Sequence, residues 1–220
     1  MTGRSVLIAG ATGLVGRDIL EGLLADRTVV AVHSLGRRAP TIQHPKLTAH
    51  IVDFAALPPL PLADEVYLAL GTTIKVAGSQ AAFRAVDYDA NLAVATAALA
   101  AGARKAGLVS AMGADPNSKV FYSRVKGELE NALARMPFEG LVVARPSLLV
   151  GNREAVGQPT RRGEEWGAAL GKVLGFLIPA TYKPIEAAAV ARALLSAVPS
   201  GKGKRVLLSG AMRREAFHPQ

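Results

Sequence analysis

The stretch VLIAGATGLVGRDIL, Val6 to Leu20, changes its hydrophobic period partway along. An apolar run of strand character stops at Gly10, glycines recur at Gly10, Gly13 and Gly16, and apolar residues then return at helical spacing. A strand that passes through a glycine turn into a helix aims free backbone N–H groups and the positive end of the helix dipole at an anion. Glycine serves there because φ is positive or because a side chain would hold a pyrophosphate away. The turn comprises Gly10, Ala11, Thr12, Gly13, Leu14, Val15 and Gly16, and two readings stand beside each other: a phosphate cradle, or a tight structural turn. Its spacing departs from the usual dinucleotide fingerprint, since the second glycine comes three positions after the first instead of two.

Outward from this turn, short apolar blocks alternate with amphipathic segments. Strands are predicted at Arg4–Ala9, Thr28–His33, Leu47–Val52, Glu65–Leu70, Lys105–Val109, Leu141–Ala144 and Arg205–Leu208. Helices are predicted at Leu14–Ala25, at an alanine-rich stretch from Gln80 to Ala101, at Phe121–Arg135 and over PIEAAAVARALLSAVP. This alternation predicts a Rossmann-type α/β fold: a doubly wound parallel sheet with helices on both faces. The 220 residues suit one domain, with 151–200 expected as a small substrate-side elaboration, because the pattern loosens after Gly151. The long helices either pack against a second copy, giving a homodimer, or cover the sheet.

Composition bounds the function. The chain carries no cysteine, so disulfides and thiolate metal sites are excluded, and no metal centre is expected. The N-terminus lacks a signal-peptide pattern and the richest apolar stretch, LAVATAALAAGA, is too short for a bilayer, so a cytoplasmic protein with no membrane partner is expected. The net charge of +9 sits in scattered groups and only 5% of residues are aromatic, which argues against nucleic acid and leaves an acidic surface or an anionic small ligand.

Two further clues concern chemistry. NAD-binding folds usually place an acid after the second strand, for the ribose hydroxyls, but VVAVHSLGRRA has Arg37 and Arg38 there and no carboxylate. Arginine pairs with phosphate bidentately, so the pair predicts NADP(H) over NAD(H), by roughly thirtyfold for one charge-assisted contact of about 2 kcal/mol. In FYSRVKGELE, Tyr122 and Lys126 are four apart and share a helix face. An ammonium beside a phenol favours the phenolate and so suits it to proton transfer, while Ser110, ending the strand GLVS, offers a hydroxyl to a carbonyl.

The runs GATGLVG, LALGTT, VSAMGAD, FYSRVKGELE and VARPSLLVGNRE resemble, in their order, the atypical branch of the short-chain dehydrogenase/reductases, over most of the chain to about Glu154. LGTTIKVAGSQAAFRAVDYD followed by GADPNSKVFYSRVKGELE looks like the Tat-interactive-protein-like subgroup, and the similarity continues more weakly through RRGEEWGAALGKVLGFLIP. The resemblance implies hydride transfer between NADP(H) and a small carbonyl or alcohol substrate. It implies a catalytic Ser110, Tyr122 and Lys126, with Lys126 also holding the nicotinamide ribose. It places Asp53 near the adenine, Leu70, Gly71 and Thr72 along the cofactor, and Arg145, Pro146 and Ser147 near the nicotinamide. Some related sequences carry a second serine where this chain has Ala111, and some members of the branch use the cofactor for regulation, which keeps a cofactor sensor as the alternative.

Other residues read as structural. His33, His44 and His50 show no ligand spacing, Asp87 and Asp89 read as solvated or capping, Arg161 and Arg162 as a solvated loop or a contact for an acidic substrate or partner, and Trp166 as packing among the C-terminal helices in preference to a pocket cap.

Overall fold

The computed structural model of the chain describes residues 3–150 and 183–217. Nine strands occur among them: β1 (Arg4–Ala9), β2 (Val29–Gly36), β3 (Leu47–Ile51), β4 (Glu65–Leu68), β5 (Lys105–Val109), β6 (Gly140–Arg145), β7 (Leu149–Val150), β8 (Ile185–Glu186) and β9 (Gly203–Leu208). Seven of them form one sheet in the order β3-β2-β1-β4-β5-β6-β9, every pair parallel, while β7 and β8 pair separately. This is the doubly wound α/β architecture that the alternating blocks predict.

Alternation within each strand explains the two layers. Val6 and Ile8 face one side of β1, Leu7 and Ala9 the other, and all four are buried, so the strand is apolar throughout. On the first face lie helices α1 (Leu14–Ala25) and, from the far end of the chain, the helix Ala187–Ser200; Ile19, Leu23, Val190 and Leu194 join Val6 and Ile8 in one core. On the second face, Val94 and Leu129 pack with Leu7, Val66 and Leu108. They come from the helices Asn91–Ala100 and Phe121–Ala134.

In chain order the remaining helices are α2 (Ile74–Ala77), α3 (Gln80–Arg84), α4 (Asn91–Ala100), α5 (Phe121–Ala134), α6 (Ala187–Ser200) and α7 (Ser209–Phe217). The single helix expected over Gln80–Ala101 is continuous but not uniform: a π-helical turn, Ala85–Ala90, joins α3 to α4. The elaboration expected over 151–200 is also shortened, because α6 belongs to the main core; its alanines at 187, 189, 191, 193 and 197 let it approach the sheet closely. Residues 151–182, with Arg161, Arg162 and Trp166, lie outside the described residues.

The strand order reverses between β1 and β4. In open parallel sheets the crevice at the carboxyl ends of such a pair is where ligands bind. At the opposite edge, Arg4 bridges Asp26 at 2.5 Å and the buried Glu65 at 2.7 Å, and the Tyr67 hydroxyl donates to Glu65 Oε2 at 3.2 Å. Burial, reinforced by the Glu65 carboxylate, pushes the Tyr67 phenol well above its ordinary range. These charges pin the ends of β1 and β4 together, away from the crevice.

Candidate active site

The glycine turn occupies the crevice. Gly10 follows β1 with φ 91, and a Cβ there would lie 2.4 Å from the Ala69 carbonyl oxygen, after β4. The Gly13 N–H donates to the Gly10 carbonyl at 2.9 Å and Gly13 then caps α1, whose first turn carries no acidic side chain. No side-chain cap and no first-turn acid therefore meets the N–H groups that begin α1. Gly16 is required more strictly, since a Cβ there would lie 2.0 Å from the Gly10 oxygen. Gly16→Ala is expected to displace the turn and lower stability by about 2 kcal/mol, read as a fall in the urea midpoint; an unchanged midpoint would show that the helix can shift to accept the methyl.

A cleft of about 320 Å³ opens beside this turn, lined by Ala11, Thr12, Arg17, Glu21 and Arg38, with Pro40 to Ile42 closing its far side. Both arginines of the doublet after β2 are exposed; Arg38 is among the cleft's lining residues and Arg37 is not. Arg17 is held by Glu21 at 2.9 Å, one helical turn on. Asp53 is exposed just after β3, its Oδ1 accepting from the Ala55 N–H at 3.0 Å.

Helix α5, on the second face of the sheet, carries a polar stripe at intervals of four. Tyr122 is half-buried and its ring tilts against Phe83 at 5.4 Å. Lys126 is only 4% exposed, and its Nζ lies 2.7 Å from Asp87 Oδ1. Glu130, 1% exposed, receives Arg145 through Nε at 3.0 Å and Nη2 at 2.7 Å. The helix thus buries a cation and an anion, each with an opposite charge from a neighbouring element, as buried charges require. The Glu130 carboxylate also holds the Arg145 guanidinium above its ordinary range. Gly127 lets the loop after β5 ride on this helix, since a Cβ there would lie 2.3 Å from the Asp115 carbonyl carbon.

Several expectations need correction here. The Ser110 hydroxyl is buried and donates to Glu130 Oε1 at 2.5 Å, so its proton is committed inside the protein instead of being offered to a substrate carbonyl. Arg145 turns its fork onto Glu130, not into the open crevice. Ser147 sits against the C-terminal elements: its N–H donates to Ser209 Oγ at 2.9 Å and its hydroxyl to the Lys183 carbonyl at 2.5 Å. The Pro146 carbonyl accepts from the Met112 N–H, tying β6 to the loop after β5. Asp87, read as solvated or capping, is completely buried. Leu70 and Thr72 are half-buried at the end of β4, with Thr72 N–H bonded to Asp87 Oδ2 at 2.8 Å and Gly71 exposed between them.

The sequence reading missed Glu130 and Asp87. Glu130 had a signal, the continued spacing Tyr122, Lys126, Glu130, but no pairing rule names a partner fifteen residues on. It also missed a histidine pair: parallel register sets Leu35 opposite His50, and His33 Nδ1 comes within 3.1 Å of His50 Nε2. Burial, then the neighbouring His50, lowers the His33 pKa below the ordinary imidazole value. No group of three or more histidine, aspartate or glutamate side chains suited to a metal gathers among the described residues. No helix among them is long and apolar enough to cross a membrane.

No protein-family model matches the chain. Protein FMP52, mitochondrial, of Coccidioides immitis is 34% identical over 230 residues, spanning 92% of both chains. The chain belongs to the FMP52 family. The Emericella nidulans FMP52 protein, 35% identical over 182 residues and 77% of each chain, agrees. These relatives are named mitochondrial, which overturns the cytoplasmic location expected above. The absence of cysteine rules out disulfides in any compartment and so never separated the two. Among solved structures, the UDP-N-acetylglucosamine 4-epimerase of Methanobrevibacter ruminantium matches with TM-score 0.70 at 16% identity, covering 94% of this FMP52-family chain and 77% of that one. The Bordetella bronchiseptica enzyme WbmF, solved with NAD+, matches with TM-score 0.67 at 18% identity, covering 98% and 77%. At these identities the likeness is one of fold alone, the Rossmann-like parallel α/β sheet.

Proposed function

We propose that this FMP52-family chain is an NADP(H)-dependent oxidoreductase of the atypical short-chain dehydrogenase/reductase type, near its Tat-interactive-protein-like subgroup, acting on a small carbonyl or alcohol. The observation that carries the reading is that Arg38 and the glycine turn line one cleft, after a strand that ends without an acid. A cofactor fits this arrangement because α1 begins there with no side-chain cap on its N–H groups and no acid in its first turn. The turn Gly10 to Gly16 would hold the pyrophosphate, Arg38 the 2′-phosphate and Asp53 the adenine, with Leu70 to Thr72 running along the cofactor and Lys126 on the nicotinamide ribose. When bound, the nicotinamide supplies or accepts the hydride. Tyr122 then gives the substrate oxygen its proton in reduction and takes it in oxidation, and the nearby Lys126 ammonium favours that exchange. The names of the relatives support a mitochondrial location.

A second reading, a cofactor sensor with little turnover, is favoured by one feature: Ser110 gives its proton to Glu130, and the next residue is Ala111, so neither position offers a free hydroxyl donor to a substrate.

Parallel equilibrium titrations with NADPH and NADH test the cofactor. NADPH is expected to bind roughly thirtyfold more tightly, and Arg38→Ala to bring the two within about threefold. Arg37→Ala, away from the cleft, is expected to change the ratio little. Saturation with neither nucleotide would remove both readings; equal affinity for the two would remove the 2′-phosphate role of Arg38 alone.

A further inference from the structure

Asp87 has no exposed surface, and nothing in the reaction outlined above uses it. Its two carboxylate oxygens face different elements. Oδ1 lies 2.7 Å from Lys126 Nζ on α5, and Oδ2 accepts from the Thr72 N–H at 2.8 Å in the loop after β4. Asn91, also fully buried, supports the same junction, its Nδ2 directed at the carbonyls of Leu70, Val86 and Asp87, each at 3.2 Å.

The backbone explains how one acid reaches both groups. Asp87 lies within the π-helical turn Ala85–Ala90, where the wider i→i+5 turn accommodates an extra residue. Rewinding it to α-helix would rotate what precedes by about 100° relative to α4, and the carboxylate would leave the lysine. Such turns inside α-helices occur frequently at functional sites.

The chemistry indicates what the junction serves. Asp87 Oδ1 pairs with the ammonium by charge at 2.7 Å and makes no hydrogen bond to it, so the N–H donors of Lys126 keep capacity for a ligand. Gly71 keeps the approach open: even a Cβ there would come within 3.5 Å of Asp87 Oδ1 and 3.8 Å of Lys126 Nζ. A loop backbone and an ammonium fixed to the same carboxylate form a rigid edge suited to vicinal hydroxyls, the chemistry of a ribose.

We propose that Asp87 is a positioning residue that locks Lys126 to the loop Leu70–Thr72, so that lysine and loop meet a ribose-bearing ligand as one unit. The proposal rests on the cofactor reading for its ligand but not for its coupling.

The test uses the full chain with NADPH as probe. Asp87→Asn and Lys126→Met are each expected to raise the NADPH Kd about tenfold, and the double variant no more than about threefold beyond the worse single, because the two changes break one unit. Asp87→Asn combined with Arg38→Ala is expected to multiply, as independent sites do. A purely supporting role for Asp87 would make the Asp87/Lys126 losses multiply as well, and that result, or wild-type affinity in Asp87→Asn, overturns the proposal. A cofactor-free arm separates it from the reading beneath it. Lys126→Met, or Lys126→Gln if the first does not fold, is expected to speed amide exchange at Thr72 about tenfold, although Lys126 makes no hydrogen bond to Thr72. Unchanged exchange at Thr72 overturns the lock. Faster exchange in a protein that binds no NADPH upholds the lock and removes the cofactor reading alone.

Discussion

Tyr122→Phe is expected to lower turnover on a responsive carbonyl about a thousandfold, within the span that a positioned acid/base contributes, while NADPH affinity stays within about twofold. The substitution is a clean one. The Tyr122 ring packs against Phe83 at 5.4 Å, a contact phenylalanine keeps, and its hydroxyl makes no hydrogen bond to a described residue. Removing the oxygen therefore orphans no partner among the described residues. Steady-state rates across a panel of aldehydes, ketones and secondary alcohols, with NADPH binding in parallel, give the reading. A variant as fast as wild type would remove Tyr122 from the chemistry. A wild type that binds NADPH yet turns over nothing on the panel would favour the sensor, where the committed hydroxyl of Ser110 already points.

What was legible in the sequence follows from locality. The apolar block Val6 to Ala9, the glycines at three-residue intervals and the arginines after β2 each act through neighbours in the chain, and the structure gathers the turn and Arg38 as their spacing suggests. Tyr122 and Lys126 were legible as a pair because one helical turn separates them. Their partners were not. Asp87 sits in an alanine-rich stretch where an isolated acid reads as solvent-facing, and its burial depends on a π turn that no local propensity announces. Ser110 directly follows its strand, β5, yet the bearing of its hydroxyl depends on Glu130, which arrives from another element. β2 runs on to Gly36, past its expected end at His33, because β3 pairs with it through Gly36, and only that register brings His33 to His50. Long-range pairing of charges is the common cause: a buried ion is unreadable until its counter-ion is placed.

That cause gives Glu130→Ala the largest expected effect on stability. Taking away the carboxylate leaves the Arg145 guanidinium partly buried without its three hydrogen bonds to Glu130 and leaves the Ser110 hydroxyl without its acceptor. Breaking one side of a buried pair costs 3–5 kcal/mol in general, and because the Arg145 side chain keeps some exposure the low end applies here, about 3 kcal/mol. Urea denaturation reads this as a lowered midpoint at unchanged slope. Glu130→Gln, which keeps an oxygen for Ser110 but not the charge, should fall between Glu130→Ala and wild type. Glu130→Leu combined with Arg145→Met should recover at least about half of the loss, since an apolar pair of similar volume carries no desolvation penalty. If the double variant is no more stable than Glu130→Ala, the loss comes from packing on α5 instead of the orphaned guanidinium. If it recovers stability while NADPH binding persists, the Ser110–Glu130–Arg145 network is a scaffold on which α5 aligns Tyr122 and Lys126, and the chemistry of the site rests on those two residues and Asp87.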